Sequence, residues 1–137
     1  MISLPPAFTE RMQQLLGNES ETFFQALVSE SPTSIRLNPE KTANTDLPFS
    51  ELLSRQVPWC SNGYYLKERP SFTSDPLLHG GAYYVQEASS MFLEQAIRNF
   101  VSEPVKCLDL CAAPGGKSTH LLNLLPEGSL LVSNEVI

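Results

Sequence analysis

Residues 105–119, VKCLDLCAAPGGKST, constrain this chain more than any other stretch. An apolar run, residues 107–110 with Asp109 inside it, feeds a turn of small residues at 112–116, and a helix start follows. That order gathers bare backbone N–H groups and the positive end of a helix at one place. Gly115 and Gly116 leave the backbone open to close approach because they carry no side chain. Alternation of strand and helix from Val105 onward predicts a parallel sheet with a right-handed crossover, hence an α/β fold. A parallel sheet needs several strands covered on both faces, so a single βαβ unit reads as the start of a larger, truncated domain.

Two ligand classes compete for this loop. A phosphate loop of the form G-x-x-x-x-G-K-[ST] finds its second half in Gly116, Lys117 and Ser118. Its first glycine would fall at Cys111, and Pro114 removes a backbone donor where the loop needs one. A Rossmann-type nucleoside site instead wants an acid past the next strand to grip a ribose. The next strand-like run is 129–133, SLLVS, and Glu135 follows it at about the 20-residue spacing from the glycines that such a site uses. This second reading needs no exceptions. Asp109, a carboxylate inside an apolar strand, reads either as an acceptor for loop N–H groups or as a partner for a cationic ligand group.

Three segments together carry a resemblance. DLCAAPGGKS (109–118) resembles the first motif of the S-adenosylmethionine-dependent RNA cytosine carbon-5 methyltransferases. YVQEASSM (84–91) resembles the segment that opens their catalytic domain, and SIRLN (34–38) their N-terminal subdomain signature. Pro58, Trp59 and Cys60 with Gly63, Tyr64 and Tyr65 resemble the bacterial ribosomal RNA branch of that family. The resemblance implies a helical hairpin and a small α+β RNA-binding-like subdomain over residues 1–83. The first βαβ unit of a Rossmann-like catalytic domain would then occupy residues 84–137. It implies S-adenosylmethionine as cofactor, held by Cys111, Ala112, Ala113, Pro114, Gly115, Gly116 and Lys117, with Glu135 on the ribose and Lys117 near the methionine carboxylate. It implies RNA, ribosomal RNA above all, as partner, with Arg36 and Asn38 as candidate contacts. In the family a cysteine thiolate from later motifs adds to carbon 6 of the base, which activates carbon 5. No cysteine follows residue 111, so no catalytic residue is assigned and the chain alone is expected to be inactive. A non-catalytic RNA-binding or assembly module built on residues 34–66 is the alternative.

Composition sets limits. The apolar fraction of 42% and charged fraction of 18% belong to an ordinary folded protein. No apolar run approaches the roughly 20 residues of a membrane span, and the N-terminus lacks the pattern of a secretory signal. Three cysteines without a C-x-x-C pair point to a reducing cytoplasm, with neither disulfide framework nor metal site. His79 and His120 lack partners at metal-ligand spacing. A net charge of −6 sits poorly with RNA, whose phosphates supply most of the affinity of their binders.

Periodicity supplies the remaining expectations. Phe8, Met12, Leu15 and Leu16 fall at helical spacing, ended by Gly17, and Ser20 opens a second helix that closes before Pro32. Residues 34–38 alternate as a strand, and 39–46 read as a polar loop. A short helix is expected over 47–53, strands over 57–60 and 64–66, a linker over 69–81 and a helix from Gln86 to about Phe100. Tyr83, Tyr84, Gln86 and 89–91 are expected near the cofactor or base pocket or in helix packing. Trp59 and Tyr64 read as core rather than as base-stacking platforms. Cys60, Cys107 and Cys111 read as small packing residues.

Overall fold

The computed structural model of this protein describes residues 4–43 and 47–136. The chain separates into two units, Met1–Ser31 and Pro32–Ile137. In the first, α1 (Pro6–Leu16) and α2 (Ser20–Val28) flank a 3-10 turn, Gly17–Glu19. Pro6 starts α1 at a position where a missing N–H costs nothing. Gly17 leaves the helix at φ 53° while its N–H returns to Gln13 O. Phe8 and Phe23 meet at 6.3 Å and Phe23 and Phe24 at 5.7 Å, yet no side chain in either helix is buried.

The second unit carries two sheets. β1 (Ser34–Leu37), β2 (Leu53–Gln56), β3 (Gly63–Leu66) and β4 (Tyr83–Val85) form an antiparallel sheet in the order β2-β3-β1-β4. Ile35 lies opposite Tyr64 on one side and Val85 on the other, so β1 is central and all four of its residues are buried. Ile35, Leu37, Leu66, Phe72, Ala82 and Tyr83 make the main core, into which Phe49 packs edge-on against Tyr83 at 5.3 Å.

A second cluster, Val57, Cys60, Ala88 and Met91, closes beneath Gly63. A Cβ on Gly63 would lie 2.6 Å from Met91 Sδ and 3.0 Å from the Cβ atoms of Cys60 and Val57, so only glycine fits. Half-buried Trp59 donates its indole N–H to Ala88 O at 2.7 Å and packs edge-on against Phe92.

Short helices α3 (Pro39–Thr42) and α4 (Pro76–His79) are N-capped by Asn38 and Asp75. A 3-10 segment, Ala88–Phe92, leads into α5 (Leu93–Phe100). Then β5 (Lys106–Asp109), α6 (Gly116–Leu124) and β6 (Leu130–Ser133) complete a parallel βαβ unit in which Leu108 pairs with Val132 and Asp109 with Ser133. No helix among the described residues is long and apolar enough to cross a membrane.

The α/β architecture follows the sequence, whereas several local expectations do not. Residues 48–52 form turns, and the expected helix over 47–53 gives way to β2, whose Leu53 pairs with Leu66. Residues 57–60 form a turn closed by Cys60 N to Val57 O, not a strand. The expected linker over 69–81 holds α4 and a core side chain, Phe72, because an aromatic ring against Phe49 and Tyr83 removes apolar surface from water. Within the expected polar loop 39–46, residues 39–42 are α3, and 44–46 lie outside the described residues.

Candidate functional site

The loop after β5 is built from both ends. Asp109 Oδ1 accepts the N–H of Cys111 at 3.2 Å, and its Oδ2 accepts the hydroxyl of Ser118 at 2.7 Å, pinning the start of the loop to the first turn of α6. Asp109 thus serves the loop itself. The N–H of Ala112 goes to Asn134 O, and that of Ala113 to Glu135 Oε2 at 3.2 Å. The carboxylate proposed from spacing therefore meets the glycine loop in space, while its other oxygen accepts the N–H of Val136.

Gly115 adopts φ 102°, a left-handed conformation that glycine takes without strain, and caps α6 without a side chain. Thr119 is the first residue of α6 whose N–H bonds back, to Gly115 O. The amides of Gly116, Lys117 and Ser118 thus precede the first helical hydrogen bond, at the positive end of the helix dipole. Exposed Lys117 adds a cation.

The antiparallel sheet forms the opposite wall. Tyr84 donates its hydroxyl to Pro114 O at 3.1 Å, and a Cβ on Gly116 would stand 3.3 Å from the Tyr84 ring, so the second glycine permits this close approach. Between the walls lies a cleft of about 250 Å³, bounded by Tyr84, Gln86, Glu87 and Ser90 and by residues 111–114, Gly116 and Lys117. That volume falls just below the roughly 300–1,000 Å³ of a complete small-molecule pocket. Cys111 is exposed here rather than packed. Ser118 is buried, and its hydroxyl donates to Asp109.

Arg36 and Asn38 are not on an open strand face. Arg36 is 4% exposed. Its Nε donates to Gln86 Oε1 at 2.9 Å, and its Nη2 donates to Thr119 Oγ1 at 2.7 Å and Gly116 O at 3.3 Å. Burial lowers its pKa to about 10, still far above neutrality, so the guanidinium is charged. The side-chain amide of Asn38 donates to Gly81 O and accepts from Glu40 N. Both residues line a second cleft of about 430 Å³ with Lys41, Tyr84 and Asn123.

One buried constellation escaped the sequence reading. His120 Nε2 lies 3.3 Å from Glu94 Oε2 and 3.8 Å from Cys60 Sγ. Glu94 Oε1 also accepts from Arg98 Nε at 2.7 Å and from the Ser61 hydroxyl and N–H. Burial alone would raise the Glu94 pKa, but Arg98, Cys60 and Ser61 together hold it at about 2. Burial pushes the Cys60 thiol up to about 12, and burial with the nearby Arg36 charge pushes His120 down, so the imidazole is neutral. Cysteine, carboxylate and imidazole are a donor set that suits zinc. Here, however, the carboxylate is already engaged by Arg98 and Ser61, and the Arg36 charge lies nearby. Gaps of 34 and 26 positions separate the three residues in the chain, so no spacing rule signals the cluster.

A glycine loop joining parallel strands, faced by a strand-end carboxylate and backed by an antiparallel subdomain, defines an α/β protein of the Rossmann-like, nucleoside-site class. Comparison with known proteins gives the family. Residues 4–88 match the model of the N-terminal domain of 16S rRNA methyltransferase RsmF, and the chain belongs to that family. Over 98% of its length it is 31% identical to ribosomal RNA small subunit methyltransferase F of Erwinia tasmaniensis, and over 97% it is 32% identical to that of Pectobacterium atrosepticum. It spans about 30% of the length of each, and corresponds to their N-terminal region. A crystal structure of a methyltransferase homolog from Pyrococcus horikoshii superposes on 96% of the chain with a TM-score of 0.71 and 28% identity, this chain covering 44% of that one.

Proposed function

We propose that this chain is the N-terminal part of an RNA methyltransferase acting at carbon 5 of cytosine in ribosomal RNA, and that it contributes one half of an S-adenosylmethionine site. The observation that carries the reading is the Glu135 carboxylate bonded to the Ala113 amide inside the glycine loop. There it can also accept ribose hydroxyls, as strand-end acids do in nucleoside sites. The fit rests on the uncapped N-terminus of α6, the left-handed Gly115 and the close packing of Gly116 on Tyr84. Cys111, Ala112, Ala113 and Pro114 would line the site, and Lys117 would neutralise the methionine carboxylate.

The cofactor supplies an electrophilic methyl group on a sulfonium. What this chain's residues do is bind, orient and enclose it. A thiolate is needed to activate the pyrimidine, and none of the three cysteines is proposed for that role. Cys60 is buried with its thiol pushed up to about 12, Cys107 sits half-buried in β5, and Cys111 is an exposed residue of the loop. RNA is proposed to enter the larger cleft, with Asn38 and Lys41 at its rim and Arg36 in its floor. A base held in a stem would leave its stack to reach the cofactor. Residues 1–83 would then serve chiefly the RNA and residues 84–137 the cofactor, in a cytoplasmic enzyme.

Isothermal calorimetry tests the reading. The chain should bind S-adenosylmethionine, and Glu135→Ala should weaken binding about tenfold, the loss of one charge-assisted hydrogen bond. Binding of ATP with no affinity for S-adenosylmethionine would overturn it. Labelled-methyl assays on ribosomal RNA should show no transfer by this chain alone.

A further inference from the structure

We infer that Arg36 is a positioning residue for the cofactor loop, reaching from the centre of the antiparallel sheet to fix the first turn of α6. The inference rests on the reading of residues 111–117 as that loop. A guanidinium is expensive to bury, and a charge taken out of water persists where its donors are placed usefully. Here the donors join β1 to two segments far from it in the chain: Gln86 and, in the first turn of α6, Gly116 and Thr119.

The geometry determines which way the loop faces. Peptide units are planar with C=O and N–H opposed. Holding Gly116 O on Arg36 therefore fixes the plane of the Gly116–Lys117 peptide, and with it the direction of the Lys117 N–H beside the cleft that both residues line. Thr119 makes the contact stricter. Its hydroxyl accepts from Arg36 Nη2 and donates to Gly115 O at 2.7 Å, so one oxygen links the arginine to the left-handed glycine.

Gln86 holds the other side of the guanidinium and is itself bound to β1, since Ser34 Oγ donates to Gln86 O at 2.6 Å and Gln86 N donates to Ser34 O. Arg36 is thus braced on the sheet and presses on the loop. Tyr84, bonded to Pro114 O, is a second and weaker brace.

Hydrogen exchange of the chain without cofactor tests this directly. Thr119→Val should raise exchange at the amides of Thr119 and His120 about tenfold and leave Ile35 and Tyr64 unchanged. Thr119→Ser should restore the wild-type rate. Arg36→Met should give the same loop effect, and Arg36→Met with Thr119→Val should add little to the larger single effect, because the two side chains act through one contact.

Loop exchange unchanged in Thr119→Val would overturn the inference, as would full additivity in the double variant. If Arg36→Met raises exchange throughout the sheet, the Thr119 pair still decides. Calorimetry with S-adenosylmethionine separates the two readings. A wild-type chain that fails to bind sinks the cofactor site and leaves the exchange result standing, whereas binding that Thr119→Val does not weaken sinks the positioning role alone.

Discussion

β1 and β5 are both four-residue strands, and their fates are opposite. β1 carries a charged arginine and a serine, yet every residue in it is buried. β5 carries Cys107 and Leu108, and it is half open to solvent, with Leu108 58% exposed beside Leu130 at 54% and Val132 at 49%. Hydrophobicity does not decide between them. β1 has a hydrogen-bonded neighbour on each side and side chains packed against both of its faces. Among the described residues β5 pairs with β6 alone, and Leu108, Leu130 and Val132 on one face of the pair are exposed. A parallel pair is stable only when both faces are covered.

That contrast can be broken or sharpened by substitution. Ile35→Ala removes a fully buried side chain from the antiparallel core, and chemical denaturation should show a loss of roughly 2–5 kcal/mol. Gly63→Ala forces a methyl against Met91, Cys60 and Val57, and should cost about 1–3 kcal/mol by the same measurement. A neutral result at Gly63 would show that this corner is looser than its distances imply.

Acid should act next, through the buried trio behind the sheet. The folded pKa of His120 lies below its ordinary 6.5, so the unfolded state binds its proton first and stability falls as pH drops below about 6.5. Glu94 is held at about 2 against an ordinary 4.5, so its contribution is present above 4.5 and is lost as pH falls toward 2. Thermal melts should therefore be level from pH 8 to about 6.5 and decline from there to pH 3. His120→Gln should flatten the upper part of that decline and Glu94→Gln the lower.

The smallest effect belongs to the open sheet. Leu108→Ser should change stability by no more than about 0.5 kcal/mol while raising solubility, since it removes apolar surface already in water. A large loss there would mean that the bare face is covered in solution.

These two regions also differ in how far their sequences announce them. The βαβ unit is legible because strand, glycines, helix and acid follow one another in chain order, and a fixed spacing carries Gly115 to Glu135. The hairpin of α1 and α2 is legible from apolar spacing. The antiparallel sheet is not, because its pairings join Ile35 to both Tyr64 and Val85, and short strands carry little periodicity. Arg36 shows the limit most plainly. Read locally it is a polar residue on a strand, and only folding over 83 positions discloses Thr119 as its partner. Phe72 misled for a related reason, since the prolines and glycines around it outweigh one aromatic ring in any reading of composition.

Trp59 has a use in solution. It is the only tryptophan of the chain, and its ring is held by Ala88 and Phe92 within the second unit. Emission excited at the indole band therefore reports on that unit alone, while far-ultraviolet circular dichroism also registers α1 and α2. Melting curves from the two probes would superimpose if the hairpin and the rest unfold together, and would separate if the hairpin melts by itself.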